Sequence, residues 1–250
     1  MNQKSLRYFL EFAYKGTNYH GWQYQPNAVT VQETLNMALS TLLKSDIDLV
    51  GAGRTDTGVH AKQMFAHFDI EEIIDALPFI FKANSFLPKD IAILNLHEVH
   101  QEAHARFDAT KRTYHYHIHQ HKNVFESDDS WYYHQNLDIQ KMNEACELLI
   151  QHTDFECFSK VNTDVNTFNC TIQKAIWTKS SDTIVFEISA DRFLRNMVRA
   201  IVGTMINIGI GKISIIDFQH IIDSKDRNKA GFSAPAHGLY LTEVKYPYIT

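Results

Sequence analysis

The sequence predicts an α+β protein made of two similar halves, each with a mainly antiparallel sheet flanked by helices. Segments with alternating apolar residues, typical of strands, are mixed along the chain with segments of helical apolar spacing. This succession of strands and helices occurs twice, and no long linker separates the two runs. We therefore place one half at residues 1–105 and the other at residues 106–250.

The first half is predicted to contain four strands and two helices. The strands are expected at 6–15, 46–53, 62–70 and 91–100. Thr30 and Glu33 have the spacing of a helix capping box, which predicts a helix that continues to Leu43. A second helix is predicted over 71–84, although Pro78 interrupts its course.

The second half is predicted to repeat this mixture with five strands and three helices. The strands are expected at 111–119, 131–134, 172–180, 183–191 and 238–246. The helices are expected at 137–150, 193–211 and 215–223. Ser181 and Asp182 form the turn of a predicted hairpin, and Gly209 and Gly211 are a natural end for the longest helix.

Composition indicates a globular protein of a reducing compartment. The chain has 250 residues, of which 44% are hydrophobic, so it is long enough to bury a sizeable core. Its three cysteines form no CxxC pair, and their odd number favours a reduced, cytoplasmic protein over a disulfide scaffold. The net charge of −5 gives by itself no indication of nucleic-acid binding.

No targeting or membrane-spanning segment is expected. The N-terminal segment is interrupted by Arg7 and Glu11, which is unlike a signal peptide. The most apolar stretch, Met197 to Ile210, contains Arg199 and Asn207 and is too short to cross a bilayer. We therefore expect no association with a membrane.

The stretch GAGRTDTGVHA, residues 51–61, carries the strongest functional signal. It follows an apolar strand and places Arg54 and Asp56 among three glycines. The ordinary interpretation is a tight turn in which Asp56 binds a backbone amide and Arg54 is solvated. A phosphate-binding loop is disfavoured, because the stretch matches neither glycine-rich phosphate motif and runs into a strand rather than a helix.

GRTDTGVHA resembles the signature of the tRNA pseudouridine synthase A family, GRTD-x-GVHA, and all eight specified letters are present. Four other segments also match blocks of that family in order. They are YKGTNYHGWQ (14–23), HARFDATKRTYHY (104–116), RFLRNMVRAIVG (192–203) and GLYL (238–241). In the second of these, His104 and Ala105 place the aromatic residue differently from the strictest pattern. The resemblance covers nearly the whole chain.

The resemblance implies an isomerase that converts uridine to pseudouridine at positions 38, 39 and 40 in the anticodon stem-loop of tRNAs. It also implies two halves joined around a central cleft, the pseudouridine synthase fold, and a homodimer that holds tRNA across both subunits. The reaction breaks the N1–C1′ bond of uracil and joins C5 to C1′, which requires no cofactor and no metal. Asp56 is implied as the catalytic nucleophile, since a carboxylate can attack carbon and later leave. Attack at C1′, attack at C6 and abstraction of the 2′ proton all remain open.

The resemblance also assigns roles to four further residues. Arg199 is expected to face Asp56 and to favour its ionised form, while Arg195 reaches phosphate, although which of the two pairs with Asp56 stays open. Tyr114 is expected to pack on the target uracil, because a flat ring stabilises an extruded base. Arg54 is expected to bind the substrate beside Asp56. The alternatives are an arginine that caps the helix surface and a tyrosine buried in the sheet core.

A histidine-rich strand raises a competing hypothesis of a metal-dependent hydrolase. His115, His117, His119 and His121 alternate along 111–121, and two histidines on one strand face can bind zinc. No acidic or cysteine ligand lies within this stretch, so we favour a solvated or RNA-facing surface. His60 and His67 are expected to be hydrogen-bonding or core residues. A non-catalytic RNA-binding module is disfavoured because the GRTD-x-GVHA segment is complete.

Binding of tRNA to a chain of negative net charge requires that basic residues gather on one surface. The candidates for phosphate contacts are Arg112, Arg192, Arg195, Lys225, Arg227 and Lys229. Acidic residues are concentrated elsewhere, at 71–75 and 126–129. We therefore expect a positive cleft on a protein that is negative overall.

Overall fold

The computed structural model describes residues 5–161 and 165–249, and the chain divides into two compact units. The first unit comprises Met1–Thr110 and Leu241–Thr250, and the second comprises Lys111–Tyr240. Each unit combines strands with helices, which confirms the predicted α+β class. The sequence interpretation assigned every residue after 105 to the second half, because a strand pattern does not reveal with which sheet a strand pairs.

The first unit is organised around an antiparallel arrangement in which β1 is central. Its first four strands are β1 (Leu6–Tyr14), β2 (Val50–Gly51), β3 (His60–Ile70) and β4 (Ile91–Val99). β1 pairs with β3 on one side and with β4 on the other, so Tyr8 lies opposite both Phe68 and Glu98. β2 pairs with β3 and ends directly before the glycine-rich turn. The strand predicted at 46–53 is thus reduced to two paired residues.

Two helices, α1 (Val31–Leu43) and α2 (Ala76–Phe86), belong to this unit. Thr30 caps α1 as predicted, because its hydroxyl oxygen accepts a 3.3 Å hydrogen bond from the Glu33 amide. The prediction that α2 begins at residue 71 and is interrupted by Pro78 was wrong. Pro78 lies in the first turn of the helix, where its missing N–H has no helical acceptor to lose.

The described residues of the second unit form four strands of their own. They are β5 (Lys111–His119), β6 (Trp131–Tyr132), β7 (Ile172–Ser180) and β8 (Thr183–Ala190). β8 pairs antiparallel with both β5 and β7, and β6 adds a short parallel pairing to β5. The hairpin between β7 and β8 turns at Ser181 and Asp182, as predicted, with Ser181 in the left-handed region at φ 51°.

Three helices cover this unit: α3 (Ile139–Ile150), α4 (Met197–Gly209) and α5 (Ile215–Ser224). α4 is buried along nearly all of its length, which explains why its sequence is apolar on all sides. It ends as predicted, because Gly211 has φ 72° and its amide donates to the Ile208 carbonyl at 2.9 Å. The helix begins at Met197 rather than at residue 193, since Asn196 has a left-handed backbone with φ 66°.

The core of the second unit ties α4 to the β7–β8 hairpin. The Trp177 ring stacks on Phe186 with centroids 4.7 Å apart, and its indole N–H donates to the Met205 sulfur at 3.1 Å. This contact sets the distance between α4 and the β7–β8 hairpin. It therefore also sets the position of the residues at the N-terminal end of α4. Within 5–161 and 165–249, no helix is long and apolar enough to cross a membrane.

The last strand, β9 (Leu239–Lys245), passes from the second unit into the first, where it lies beside β3. The Val244 amide donates to the Gln63 side chain at 2.9 Å. The phenol of Tyr246 donates to the Ala105 carbonyl at 2.5 Å. These bonds explain why the C-terminal segment belongs to the first unit although it is distant in sequence.

His67, on β3, is a core residue, in agreement with its predicted structural role. Its Nδ1 accepts a 3.2 Å hydrogen bond from the Ala105 amide, and its ring stacks on Phe9. The His104 ring packs edge-on against it at 4.7 Å. Burial, together with the positive charge of Arg7, lowers the pKa of His67 to about 4. The imidazole is therefore neutral in the folded protein at neutral pH.

We predict that the protein loses stability as the pH falls from about 6.5 to about 4. In this window the unfolded state binds a proton at His67 and the folded state does not, so protonation favours unfolding, by up to about 3 kcal/mol. Urea denaturation at several pH values measures this loss. His67→Gln, compared with the wild type, should show a shallower decline below pH 6.5, and an unchanged decline would contradict the assignment.

Candidate active site

The turn that follows β2 presents Asp56. The Val59 amide donates to the Asp56 carbonyl at 3.1 Å, and Gly58, between them, has φ 77°. A turn closed in this way with a positive φ at its third residue is of type II, for which glycine is the suitable residue. The spacing of Asp56 and Gly58 in the motif therefore follows from the turn. Arg54 and Thr57 are exposed, and Asp56 is half-buried.

The segment after β1 is hydrogen-bonded to this turn. The Tyr14 phenol and the Thr55 hydroxyl form a 2.8 Å hydrogen bond. The Gly58 amide donates to the Tyr19 carbonyl at 3.3 Å. The turn is thus tied on both sides of Asp56 to residues of the YKGTNYHGWQ block, for which the sequence suggested no role.

Gly21 allows the closest approach of this segment to the turn. It has φ 88°, and a Cβ at this position would collide with the Thr55 carbonyl oxygen. The next residue, Trp22, is buried and stacks on Phe12 with centroids 5.3 Å apart. The tryptophan therefore anchors the segment in the core, and the glycine lets its backbone lie against the residue before Asp56.

Asp90, which sequence reasoning missed, also holds the segment after β1. Its carboxylate accepts hydrogen bonds from the Asn18 amide group at 3.0 Å and from the Tyr19 phenol at 2.7 Å. Its carbonyl accepts from the Lys15 amide at 2.9 Å. Burial, reinforced by the Asp90 carboxylate, raises the pKa of Tyr19 well above its ordinary value, so the phenol remains a donor. Asp90 lies in the connection between α2 and β4, and no pattern in the sequence indicates its partners.

His60, the histidine of GVHA, is buried at the start of β3. Its Nδ1 accepts a 3.0 Å hydrogen bond from the Gly16 amide. An accepting Nδ1 carries no proton, so the neutral ring bears its proton on Nε2. His60 has the local hydrogen-bonding role that the sequence predicted, and it joins the far end of the turn to the segment after β1.

In the second unit, Tyr114 lies on β5 and is only half-buried. Its ring packs edge-on against Phe193, with centroids 5.1 Å apart. Tyr116, two residues further along the same face, is fully buried and donates its phenol to the Pro235 carbonyl at 2.8 Å. Burial raises the pKa of Tyr116 well above its ordinary value, against the opposing effect of the Arg199 charge. The core aromatic of this strand is therefore Tyr116, while Tyr114 is only partly buried.

Arg199 lies in the first turn of α4 and is half-buried. Its Nε donates to the Ala234 carbonyl at 2.6 Å, and the Ala234 amide donates to the Arg199 carbonyl at 3.0 Å. Tyr116 binds the next carbonyl, that of Pro235. The second unit thus brings Arg199 to the side of β5 on which Tyr114 and Tyr116 lie.

Arg195 is exposed and lies before α4 rather than within it. The helix predicted over 193–211 would include Arg195, but this was wrong, because Asn196 has the left-handed backbone and the helix starts after it. The Arg195 carbonyl accepts from the Lys160 amide at 3.0 Å. Its side chain therefore leaves the backbone from a loop, and its direction is not set by the helix.

Three of the predicted phosphate contacts have partners within the protein. Arg227 donates to the Gly231 carbonyl at 2.9 Å and to the Ser233 hydroxyl at 3.1 Å. Arg112 donates to the Asp191 carbonyl at 2.7 Å. Lys225 pairs with Asp154 at 2.6 Å. These internal contacts make the three residues poorer candidates for phosphate binding.

The histidines of 115–121 lie in different surroundings. The His119 ring stacks on Tyr132, the His117 ring packs edge-on against Tyr240, and His121 pairs with Asp182 at 3.0 Å. In the described parts of the chain, no three histidine, cysteine or acidic residues are grouped as metal ligands. The period-two histidine pattern is thus used for packing and surface pairing.

The sequence-predicted residues are therefore distributed over both units. Asp56 and Arg54 belong to the first unit, and Tyr114, Arg195 and Arg199 belong to the second. Asp56 is presented by a braced turn, Tyr114 by a strand, and Arg199 by the start of a buried helix.

Comparison with known proteins identifies the family of this chain. A family described as tRNA pseudouridine synthase matches residues 145–247. A tRNA pseudouridine synthase A of Parabacteroides distasonis is 52% identical over 242 residues, which is 96% of either chain. One of Bacteroides thetaiotaomicron is 50% identical over 96% of this chain and 91% of its own. One of Thermoanaerobacter pseudethanolicus is 42% identical over 93% of this chain and 96% of its own. With identity of this degree along nearly its whole length, the chain belongs to the tRNA pseudouridine synthase A family.

Proposed function

We propose that this protein converts uridine to pseudouridine in tRNA, with Asp56 as the catalytic nucleophile. The target uridines are those at positions 38, 39 and 40 of the anticodon stem-loop. The observation that carries the proposal is the Asp56 turn, where the family signature forms a rigid support for one carboxylate. The names of relatives that are about half identical to this chain supply the reaction and the substrate class.

The reaction needs a group that can hold one fragment of the nucleoside while the base turns. The N1–C1′ bond breaks, the C5–C1′ bond forms, and the proton on C5 leaves as N1 gains one. No electrons are gained or lost overall. A carboxylate suits this task because it adds to carbon and departs again. Addition of Asp56 to C1′ and addition to C6 both fit this role, whereas removal of the 2′ proton would make Asp56 a general base instead.

The other site residues act on the base and on the backbone of the RNA. The ring of Tyr114 stacks on the flipped uracil, a contact worth about 1–3 kcal/mol per base. Arg199 is the basic residue that we assign to the nucleophile, since a positive charge favours the ionised form of a carboxylate. Arg54 and Arg195, both exposed, bind phosphates.

Recognition of the stem-loop relies on shape and backbone contacts rather than on base edges. A chain with a net charge of −5 is not drawn to RNA by its total charge, so exposed arginines must act locally. A tRNA substrate, together with three buried free cysteines, supports a cytoplasmic location.

We also propose a homodimer, with the exposed face of α2 as its contact surface. On α2, Leu77 and Phe81 are spaced four residues apart and are 80% and 79% exposed, and Ile73, which precedes the helix, is 83% exposed. Neighbours at this spacing form one apolar stripe on a helix, and such stripes are typical of protein interfaces. An apolar stripe is complementary to itself, as a twofold contact between two copies requires.

We predict that Asp56→Asn and Asp56→Ala abolish pseudouridine formation and leave tRNA binding within about threefold of the wild type. Both changes remove the nucleophile, and the asparagine keeps the shape of the side chain. The measurement is incubation with unmodified tRNA, followed by mapping of pseudouridine at nucleotide resolution and a separate binding titration.

The matched control is Thr57→Ala, which changes the exposed neighbour of Asp56 at the unspecified position of the motif. It should retain turnover. Residual activity of an Asp56 variant within about tenfold of the wild type would refute the role of the carboxylate. Pseudouridine at sites other than 38–40 would refute the proposed positions.

We expect Arg199→Ala to lower the single-turnover rate by about 10²- to 10³-fold with little effect on binding, since its charge acts on Asp56. Arg195→Ala should instead weaken tRNA binding and flatten the slope of log K against log salt by about one unit. Lys174→Ala serves as the control, because it removes an exposed charge that pairs with Glu187. If Arg199→Ala instead weakened tRNA binding and left the single-turnover rate unchanged, the roles assigned to Arg195 and Arg199 would have to be exchanged.

Phe81→Glu should convert the dimer to a monomer, because a buried, unpaired carboxylate cannot be accommodated at the centre of an apolar contact. Light scattering measures the mass. Ile216→Glu, at an apolar residue of α5 that is 69% exposed, controls for the added charge. A wild-type monomer would overturn the dimer, and a Phe81→Glu dimer would place the interface elsewhere.

A further inference from the structure

A short segment of the second unit, residues 231–234, lies along the first half of α4. We refer to these four residues as the strap. At one end of the strap, the Gly231 amide donates to the Thr204 hydroxyl at 2.8 Å. At the other end, the Ala234 amide donates to the Arg199 carbonyl at 3.0 Å. The strap is thus hydrogen-bonded to the helix at both ends.

The strap determines the direction of the Arg199 side chain. The Ala234 carbonyl accepts a 2.6 Å hydrogen bond from Nε of Arg199. The guanidinium is planar and includes Nε, so a bond at this atom fixes the orientation of the whole group. A displacement of Ala234 would therefore turn the two terminal nitrogens of Arg199.

Ser233 connects the strap to two side chains outside it. Its hydroxyl oxygen accepts from the Asn196 side chain at 2.7 Å and from Nη2 of Arg227 at 3.1 Å. Nη1 of the same arginine donates to the Gly231 carbonyl at 2.9 Å. The two terminal nitrogens of the planar Arg227 guanidinium therefore bind two residues of the strap, Gly231 and Ser233.

Asn196 departs from the role that its position predicts. An asparagine that precedes a helix commonly accepts a hydrogen bond from an amide of the first turn. Here the Asn196 side chain makes no such cap, and its amide group is directed at Ser233 instead. Its left-handed backbone, with φ 66°, places the side chain beside the strap.

We propose that Asn196, Arg227 and Ser233 are positioning residues that hold the strap and thereby aim Arg199. The inference rests on the proposed role of Arg199 in the isomerisation of uridine. None of the three needs to touch the RNA, because each acts through the Ala234 carbonyl. Arg227, which the sequence suggested as a phosphate contact, is assigned to this structural task by both of its terminal nitrogens.

The first test uses Ser233→Ala and Arg227→Lys. Each should lower the single-turnover rate of pseudouridine formation by about ten- to hundredfold, as expected for a misplaced catalytic group, while the Kd for tRNA stays within about twofold. Lysine keeps the charge of Arg227 but cannot bridge Gly231 and Ser233. A phosphate contact would therefore tolerate Arg227→Lys, whereas the proposed bridge would not.

The second test separates positioning from general stability. A residue that acts through Arg199 can harm the rate only while Arg199 is present, so Ser233→Ala should have no further effect in an Arg199→Ala background. Ser233→Thr, which keeps the hydroxyl, should restore the rate. Ser224→Ala, which removes a serine hydroxyl that donates to the Ile221 carbonyl, should leave the rate unchanged. Near-UV circular dichroism confirms that each variant is folded at the assay temperature.

The outcomes distinguish this inference from the function on which it rests. A wild-type protein that forms no pseudouridine overturns both. An Arg199→Ala variant with a wild-type rate overturns the role of Arg199 and, with it, the positioning of Arg199. If the wild type is active and Arg199→Ala is impaired, wild-type rates for Ser233→Ala and Arg227→Lys overturn the inference alone. Equal losses with and without Arg199 do the same.

Discussion

The position of Asp56 depends on the contact between the segment after β1 and the turn after β2. A carboxylate that must reach a carbon atom needs a backbone that does not move, and a turn by itself is mobile. Here the segment after β1 holds the turn through Tyr14, Tyr19 and the close approach of Gly21. Asp90 in turn fixes this segment. Each hydrogen bond contributes only about 1 kcal/mol to stability, but together they restrict the direction of one side chain.

In the second unit, the cation Arg199 is also held in a fixed position. Arg199 begins a helix that is buried on nearly all sides, so its backbone is fixed by packing. Its side chain is fixed by a main-chain carbonyl, that of Ala234. In the second unit a charged group is therefore aimed by a backbone carbonyl of a neighbouring segment. Backbone groups are suited to this task because they do not change rotamer.

The sequence predicted those features that depend on local patterns. The bounds of β5 and β7, the Thr30 cap and the Gly211 end of α4 follow from alternation, capping chemistry and glycine. It could not predict what depends on contacts distant along the chain. Asp90 in LPKD has no local signature, although its carboxylate binds two residues more than 70 positions away. The late start of α4 follows from Asn196, whose left-handed backbone is favoured by its contact with Ser233, 37 positions later.

The structure also changes how the family signature is interpreted. Thr55 binds Tyr14, Gly58 permits the turn, and His60 accepts from Gly16. These three letters of GRTD-x-GVHA have geometric roles, although threonine and histidine are residue types that often perform chemistry. The residues of the signature that remain as candidates for a chemical role are Arg54 and Asp56. Of these two, only the carboxylate can act as a nucleophile, since a guanidinium stays protonated in proteins.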